Sequence, residues 1–206
     1  MKNPNHKNQV RIIGGTHRSR IITFNDADGL RPTADFVREK LFNWLGQDLY
    51  GKNVLDLFSG SGIMAFESAS RNAKYIIAVE NNKQTAEKIK QNKKLLKIDN
   101  IEIKNTNAFD FLRTSPDQFD IVFIDPPYQW QEWQTLWQFL PNILKTNAEI
   151  YIEYAKKIEL PPFLSERKKG KCGISHFVLA EYNSSTEKYS QTTSKVKQAV
   201  FRRQYK

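Results

Sequence analysis

Apolar positions along the chain follow two different periods. Between residues 53 and 180, compact apolar runs alternate with segments whose apolar residues recur at helical spacing. The runs predict strands at 54–58, 75–79, 101–103, 119–124, 150–154 and 174–180, because β-branched residues suit a pleat and little that is polar interrupts them. The segments between them predict helices at 63–71 and 83–97, a short one ending at Leu112, and one at about 131–140. In the last of these, Trp133, Leu136, Trp137 and Leu140 share a side. In 83–97, Ala86, Ile89 and Leu96 point inward and the lysines make a solvated face. Strand and helix in alternation predict an α/β fold, a doubly wound, mostly parallel, Rossmann-like sheet without internal repeats.

Upstream the pattern changes. Val10-Arg11-Ile12-Ile13 and Arg20-Ile21-Ile22-Thr23-Phe24 predict two short strands around Gly14-Gly15. They form an N-terminal β-hairpin extension whose connection is longer than the tightest turn. Gly29-Leu30-Arg31-Pro32-Thr33 predicts a loop, with Thr33 as N-cap of a helix at 34–46 and Asp35 at its positive end. Val37, Leu41, Trp44 and Leu45 fall on one face of that helix, which makes the face core. Residues 1–9 are expected to be disordered, and 183–206 are polar and basic with little periodicity before Val196. The expected organisation is a basic arm and hairpin at 1–28, one main domain at 29–182 and a basic tail at 183–206.

Candidate chemistry gathers where the strands end. Ile121-Val122-Phe123-Ile124 runs straight into Asp125-Pro126-Pro127-Tyr128. Proline cannot donate to a sheet ladder, so the strand stops at Asp125 and leaves a stiff corner with one carboxylate, open carbonyls and one ring. In an open α/β sheet that edge is where ligands sit. The corner suits substitution at a planar exocyclic amine, whose lone pair is conjugated into its ring until hydrogen bonds draw it toward tetrahedral geometry. Asp125 and the Pro126 carbonyl can each accept one N–H, while Pro127 and Tyr128 flank the ring and Tyr128 stacks on it. Taken alone, the four residues are equally a strand end followed by a proline turn and a surface aromatic.

Composition narrows the partners. At 206 residues the chain suits a single domain. Its net charge of +10 is unevenly spread. Residues 1–25 hold five Lys/Arg and no acid, residues 156–206 hold twelve Lys/Arg against four Glu, and the middle holds fifteen against eighteen. A mildly acidic body with basic flanks fits a cationic ligand in the body and phosphates at the flanks, with Arg11, Arg18 and Arg20 on the hairpin as candidate phosphate contacts. Solvated basic tails would show the same asymmetry. One cysteine, Cys172, excludes an intrachain disulfide and a cysteine-built zinc site. The three histidines, His6, His17 and His176, make a metal site unexpected. No apolar run is long enough to span a bilayer, and a cytoplasmic location is expected.

Three further strand ends complete a cofactor reading. Gly60-Ser61-Gly62-Ile63-Met64-Ala65 satisfies the loose G-x-G-x-x-A pattern, with Glu80 after the next strand, so a dinucleotide is one reading. Asp56, close before the glycines, would repel a pyrophosphate, and no lysine follows Gly62 to make a P-loop. S-adenosyl-L-methionine meets these constraints better. Its ammonium and sulfonium suit an acidic pocket of Asp56, Glu80 and Asp125, and its carboxylate suits the backbone N–H groups at the helix start near Gly62. Glu80 can hold the ribose hydroxyls, and Asn107-Ala108 can reach the adenine edge.

Asp56-x-Phe58-Ser-Gly60-Ser-Gly62, Glu80, Asn107-Ala108 and Asp125-Pro-Pro-Tyr128 together resemble the class I S-adenosylmethionine-dependent N-methyltransferases. More narrowly, Arg11-Ile-Ile-Gly-Gly15, Gly29-Leu-Arg-Pro-Thr33, Val37-Arg-Glu-Lys-Leu-Phe-Asn-Trp44 and the Phe58 glycine loop are similar to the RsmD family. That resemblance covers roughly 1–182. It implies methylation of the N2 amine of one guanine in 16S rRNA, within a small ribosomal subunit that already carries proteins, by a monomeric enzyme without a metal. It places Phe58 with the cofactor loop and Arg31 with the substrate-facing arginines. The chain departs from the family pattern at Gly14-Gly15-Thr16-His17-Arg18-Ser19-Arg20, where a Trp and a Gly are replaced by His17 and Ser19. A DNA adenine-N6 methyltransferase shares the corner but carries a target-recognition insertion. A protein-glutamine methyltransferase more often has Asn at the Asp125 position, and a non-catalytic RNA-binding factor on the same fold is the rival from another class.

Overall fold

The uninterrupted apolar runs become the middle of a seven-stranded sheet, where Ile76 to Ala78 and Ile121 to Ile124 are at most 1% exposed. The computed structural model describes residues 8–25 and 32–184. Gly29, Leu30 and Arg31, the first seven residues and the tail from 185 onward lie outside the described residues.

The chain opens with β1 (Gln9–Arg11) and β2 (Ile21–Thr23), an antiparallel pair. There follow α1 (Asp35–Leu45), β3 (Asn53–Asp56), α2 (Ile63–Ser70), β4 (Tyr75–Val79), α3 (Lys83–Leu96), β5 (Ile101–Lys104) and α4 (Ala108–Thr114). Then come β6 (Phe119–Ile124), α5 (Trp133–Phe139), a 3-10 turn (Leu140–Ile143), β7 (Leu144–Tyr154), β8 (Leu164–Cys172) and β9 (Ser175–Tyr182). The sheet order is β5-β4-β3-β6-β7-β9-β8. The first five are parallel, and β9 pairs antiparallel with both β7 and β8. The order reverses between β3 and β6, which is where an open α/β sheet leaves its ligand crevice. One face of the sheet packs Val54, Ile76, Phe123 and Tyr151 under α1, α2 and α3. The other packs Leu55, Ile77, Val122 and Ile150 under α4 and α5.

The expected doubly wound, mostly parallel sheet and the hairpin are borne out. Several element boundaries differ, each for a physical reason. β8 was not expected, because Ser165-Glu166-Arg167-Lys168-Lys169 has no apolar alternation. It is a solvent-facing edge strand, where charge discourages pairing with another chain. β7 begins at Leu144 rather than 150, with exposed Thr146 and Asn147 inside it. α5 starts at Trp133 because a turn at Tyr128 occupies the preceding residues. Thr33 is not the cap of α1. Ala34 holds that position, and the Thr33 hydroxyl donates to Asp125 Oδ2 at 3.3 Å instead.

The two glycines of the hairpin do more than turn the chain. They seat it on the last turn of α2. A Cβ on Gly14 would lie 2.2 Å from the Arg71 guanidinium, and one on Gly15, at φ +71°, would lie 1.8 Å from Ser70 O. The Thr16 N–H donates to Ser70 O at 2.7 Å, the His17 N–H to Ser70 Oγ at 2.8 Å and the Ile13 N–H to Glu67 Oε1 at 2.7 Å. These bonds satisfy a carbonyl that a helix end would otherwise leave orphaned.

Arg38 ties this hairpin to the sheet edge. It is fully buried, donating through Nε to Thr33 O at 3.0 Å and through one terminal nitrogen to both Arg11 O at 2.9 Å and Glu67 Oε1. Its other terminal nitrogen meets Asp35 Oδ1 at 2.6 Å. Glu67 is also fully buried and has Arg71 at 3.4 Å as a second partner. Removing one member of a buried ion pair costs roughly 3–5 kcal/mol. We expect Arg38→Met to lower the unfolding free energy by about that amount in urea titrations. Arg38→Lys should recover only part of it, because one ammonium cannot reproduce the planar fork.

Candidate active site

Four loops converge at the C-terminal ends of β3, β4, β5 and β6. The first turns sharply from Asp56 to α2 through Gly60 at φ +50° and Gly62 at φ +79°. Side chains are excluded at Gly62, where a Cβ would press on Ile89 and Phe66 at 3.1 Å. The Gly60 N–H donates to Glu80 Oε2 at 2.9 Å, and the Asn82 N–H to Glu80 Oε1 at 2.7 Å, so Glu80 splints the glycine loop from the end of β4. Each of its oxygens keeps capacity for a further donor.

Asp56 is buried at 3% exposure. It accepts a backbone N–H from Ala65, yet its Oδ2 has no hydrogen-bond partner. Burial pushes its pKa up from 3.8 to about 7, and the Glu80 carboxylate adds to the rise. A desolvated carboxylate with one orphaned oxygen, beside a second acid, fits a ligand that brings cationic donors and does not fit a pyrophosphate. The residues therefore fit S-adenosylmethionine, with Asp56 for its ammonium, the start of α2 for its carboxylate and Glu80 for the ribose.

After β5, Asn107 caps α4 by accepting the Asp110 N–H at 2.9 Å, and Ala108 opens that helix. The amide of Asn107 is thus engaged locally. Phe58, from the β3 loop, stands edge-on to Trp130 at 5.4 Å, and Phe109 stacks on Trp130 at 6.0 Å. Phe109 and Trp130 were not among the expected site residues. They bring three of the strand-end loops into one aromatic wall.

After β6, Asp125 takes the Thr33 hydroxyl, and burial with the nearby Glu153 and Asp56 carboxylates pushes its pKa up from 3.8 to about 8. Pro126 is half-buried, Pro127 and Tyr128 are exposed, and the Tyr128 ring is 63% exposed. Glu153 is a third residue that sequence reasoning missed. Ile124 pairs with Ile152 in the parallel β6–β7 register, which sets residues 125 and 153 side by side. An acid closing the apolar run Ile150-Tyr151-Ile152 is the same signal that marks Asp125 after β6, and it could have found Glu153.

The structure brings Asp56, Phe58, Gly60, Gly62, Glu80, Asn107, Ala108, Asp125, Pro126, Pro127 and Tyr128 to one edge. The hairpin arginines are set apart. Thr16 and His17 dock the hairpin loop on Ser70, at the end of α2 opposite Gly62, and that helix is about 12 Å long at 1.5 Å per residue. Arg11 and Arg18 line a cleft of about 590 Å³ with Asp35, Glu39, Gln47 and Arg71.

A family model described as conserved hypothetical protein 95 matches residues 10–181. Ribosomal RNA small subunit methyltransferase D of Haemophilus influenzae is 40% identical over 162 residues, covering 76% of this chain and 84% of that protein. The chain belongs to the RsmD family. The Escherichia coli protein of the same name is 38% identical over 169 residues, covering 78% of this chain and 83% of its own length. Among solved structures, a putative methyltransferase of Escherichia coli matches with a TM-score of 0.78 at 32% identity, over 86% of this chain and 99% of that one. A putative methylase of Haemophilus influenzae matches with a TM-score of 0.72 at 34% identity, over 84% and 98%. An RNA methyltransferase of Salinibacter ruber, solved with S-adenosyl-L-homocysteine, shares the fold at 14% identity with a TM-score of 0.62, over 75% and 95%. This RsmD-family chain is a methyltransferase.

An acid whose folded pKa lies above its unfolded value costs stability from the unfolded pKa upward, because the unfolded chain ionises while the folded one keeps its proton. For Asp125 that cost is small near pH 4 and grows as pH rises toward about 8. Asp125→Asn should therefore raise Tm by about 3 °C or more at pH 8, with the gain shrinking toward pH 4, in melting curves recorded across that range.

Proposed function

We propose that this protein transfers a methyl group from S-adenosylmethionine to the exocyclic N2 amine of a guanine in 16S rRNA. The reading is carried by the adjacency of two carboxylates across the β3–β6 switch point. Asp56, orphaned and suited to a cation, lies close enough to Asp125 to raise its pKa. A cofactor pocket and an amine-accepting corner thus adjoin. The names of the relatives support rRNA of the small subunit as the substrate.

S-adenosylmethionine supplies an electrophilic methyl group on a sulfonium that departs as a neutral thioether. The chain's own residues position and polarise the acceptor. The guanine is turned out of its loop at a cost on the order of a few kcal/mol, and stacking on Tyr128 returns roughly 1–3 kcal/mol. Asp125 and the Pro126 carbonyl accept the two N2 hydrogens. Among the described residues that carbonyl is engaged by no other donor. As the nitrogen–carbon bond forms, a proton leaves the amine, and the Asp125 carboxylate, in its ionised form beside the cationic cofactor, is placed to receive it. Most of the rate gain is positioning. Arg11, Arg18, Arg20, Arg31 and the basic flanks hold phosphates around the target base.

The substrate is the guanine within an assembling or assembled small subunit in the cytoplasm, and the enzyme works as a monomer without a metal. The arm and hairpin at 1–28 and the tail at 183–206 serve as RNA contacts around a 29–182 catalytic domain.

Asp125→Ala should still bind S-adenosylmethionine within a few-fold of wild type by calorimetry. It should transfer tritiated methyl to small subunits from a strain lacking the gene at least about 100-fold more slowly, the scale of removing one preorganised polar group. Near-normal turnover would remove Asp125 from the mechanism, and mass mapping of the product that finds no N2-methylguanine would overturn the assignment.

A further inference from the structure

Glu153 stands beside Asp125 on the substrate side of the sheet. Side chains at adjacent positions of a parallel register share a face, and this one carries Phe123, Tyr151 and the entry to α1. The local hydroxyl donors at the corner are already engaged. Thr33 donates to Asp125 at 3.3 Å, Tyr151 donates to Glu153 Oε2 at 3.0 Å, and the Ser175 hydroxyl is a further donor to Glu153. Pro126 and Pro127 have no N–H to offer. What the corner presents to a ligand is therefore a row of acceptors: Glu153, Asp125 and the Pro126 carbonyl.

A base seated there must bring adjacent donors. Guanine does so, with N1–H next to the N2 amine. Adenine and cytosine set a bare ring-nitrogen lone pair beside their amine, and it would face a carboxylate. Resting on the guanine reading above, we propose that Glu153 accepts the N1–H of the flipped guanine while Asp125 and Pro126 hold its N2 amine, making Glu153 the residue that selects guanine. Leaving a buried acceptor opposite a lone pair is the kind of mismatch that supports strong discrimination.

The test compares guanine with 2-aminopurine, which keeps the amine at carbon 2 but has no hydrogen on N1. Each is placed at the mapped target position of 16S rRNA by ligation and assembled into small subunits. Wild type should prefer guanine by about 100-fold or more in kcat/KM. In Glu153→Gln the amide oxygen keeps the Tyr151 hydroxyl and the amide N–H faces the base, where it suits a bare N1, so it should lose about 100-fold on guanine and little on 2-aminopurine, which brings the ratio to within about tenfold. A purely structural role would lower both rates together, and an unchanged ratio overturns the proposal. Glu153→Asp keeps a carboxylate and serves if the amide variant does not fold. It should lose rate yet keep the preference, and loss of the preference there also counts against the proposal. Failure of wild type to methylate guanine at N2 would instead sink the function proposed above, and is read first.

Discussion

The guanidinium of Arg38 has no access to solvent, and each of its three nitrogens donates a hydrogen bond. A buried charge is tolerated only when it is paired and fully bonded, so this one cation dictates what surrounds it. Glu67 must supply the counter-charge from the middle of α2. The backbone must bring Arg11 O from the hairpin and Thr33 O from the approach to α1. With its carbonyl pinned, Thr33 presents its hydroxyl to Asp125. The orientation of the Asp125 corner thus depends on a residue that sits beneath the hairpin.

The edge itself is assembled against electrostatic preference. Asp56, Asp125 and Glu153 stand on the same face of neighbouring strands, each with its neutral form favoured by burial, and the carboxylate of Asp125 is further opposed by the other two. Such an arrangement is unfavourable in an isolated fold and favourable with a cation in place. Strain of this kind is concentrated where function needs it and is offset elsewhere, here by the two largely apolar layers of the core.

Much of this was legible in the sequence because the parallel strands are unbroken apolar runs, and a carboxylate at the end of such a run has few places to be except the ligand edge. Asp56, Glu80 and Asp125 were visible for that reason. Glu153 was missed although it obeys the same rule, because its neighbour relation to Asp125 depends on strand order, which periodicity does not contain. Arg38 was hidden on a helix whose apolar face was read from Val37, Leu41, Trp44 and Leu45, since a buried arginine looks like a solvated one until its partners are placed. Thr33 was read as a helix cap because local capping is the commoner use of its hydroxyl. β8 escaped detection because an edge strand with both sides in water has no hydrophobic pattern to show.

The seating of Gly14 and Gly15 on the last turn of α2 has a bearing on who must adapt when macromolecules meet. Hairpin, helix and sheet edge are joined by hydrogen bonds that Glu67 and Ser70 accept and Arg38 donates, so the arginine-bearing loop and the corner keep a constant separation. A partner contacting both must arrive with its own spacing already right or surrender conformational freedom to reach it. A nucleic acid whose shape has been set beforehand by bound proteins loses less entropy in that meeting than a naked, fluctuating strand.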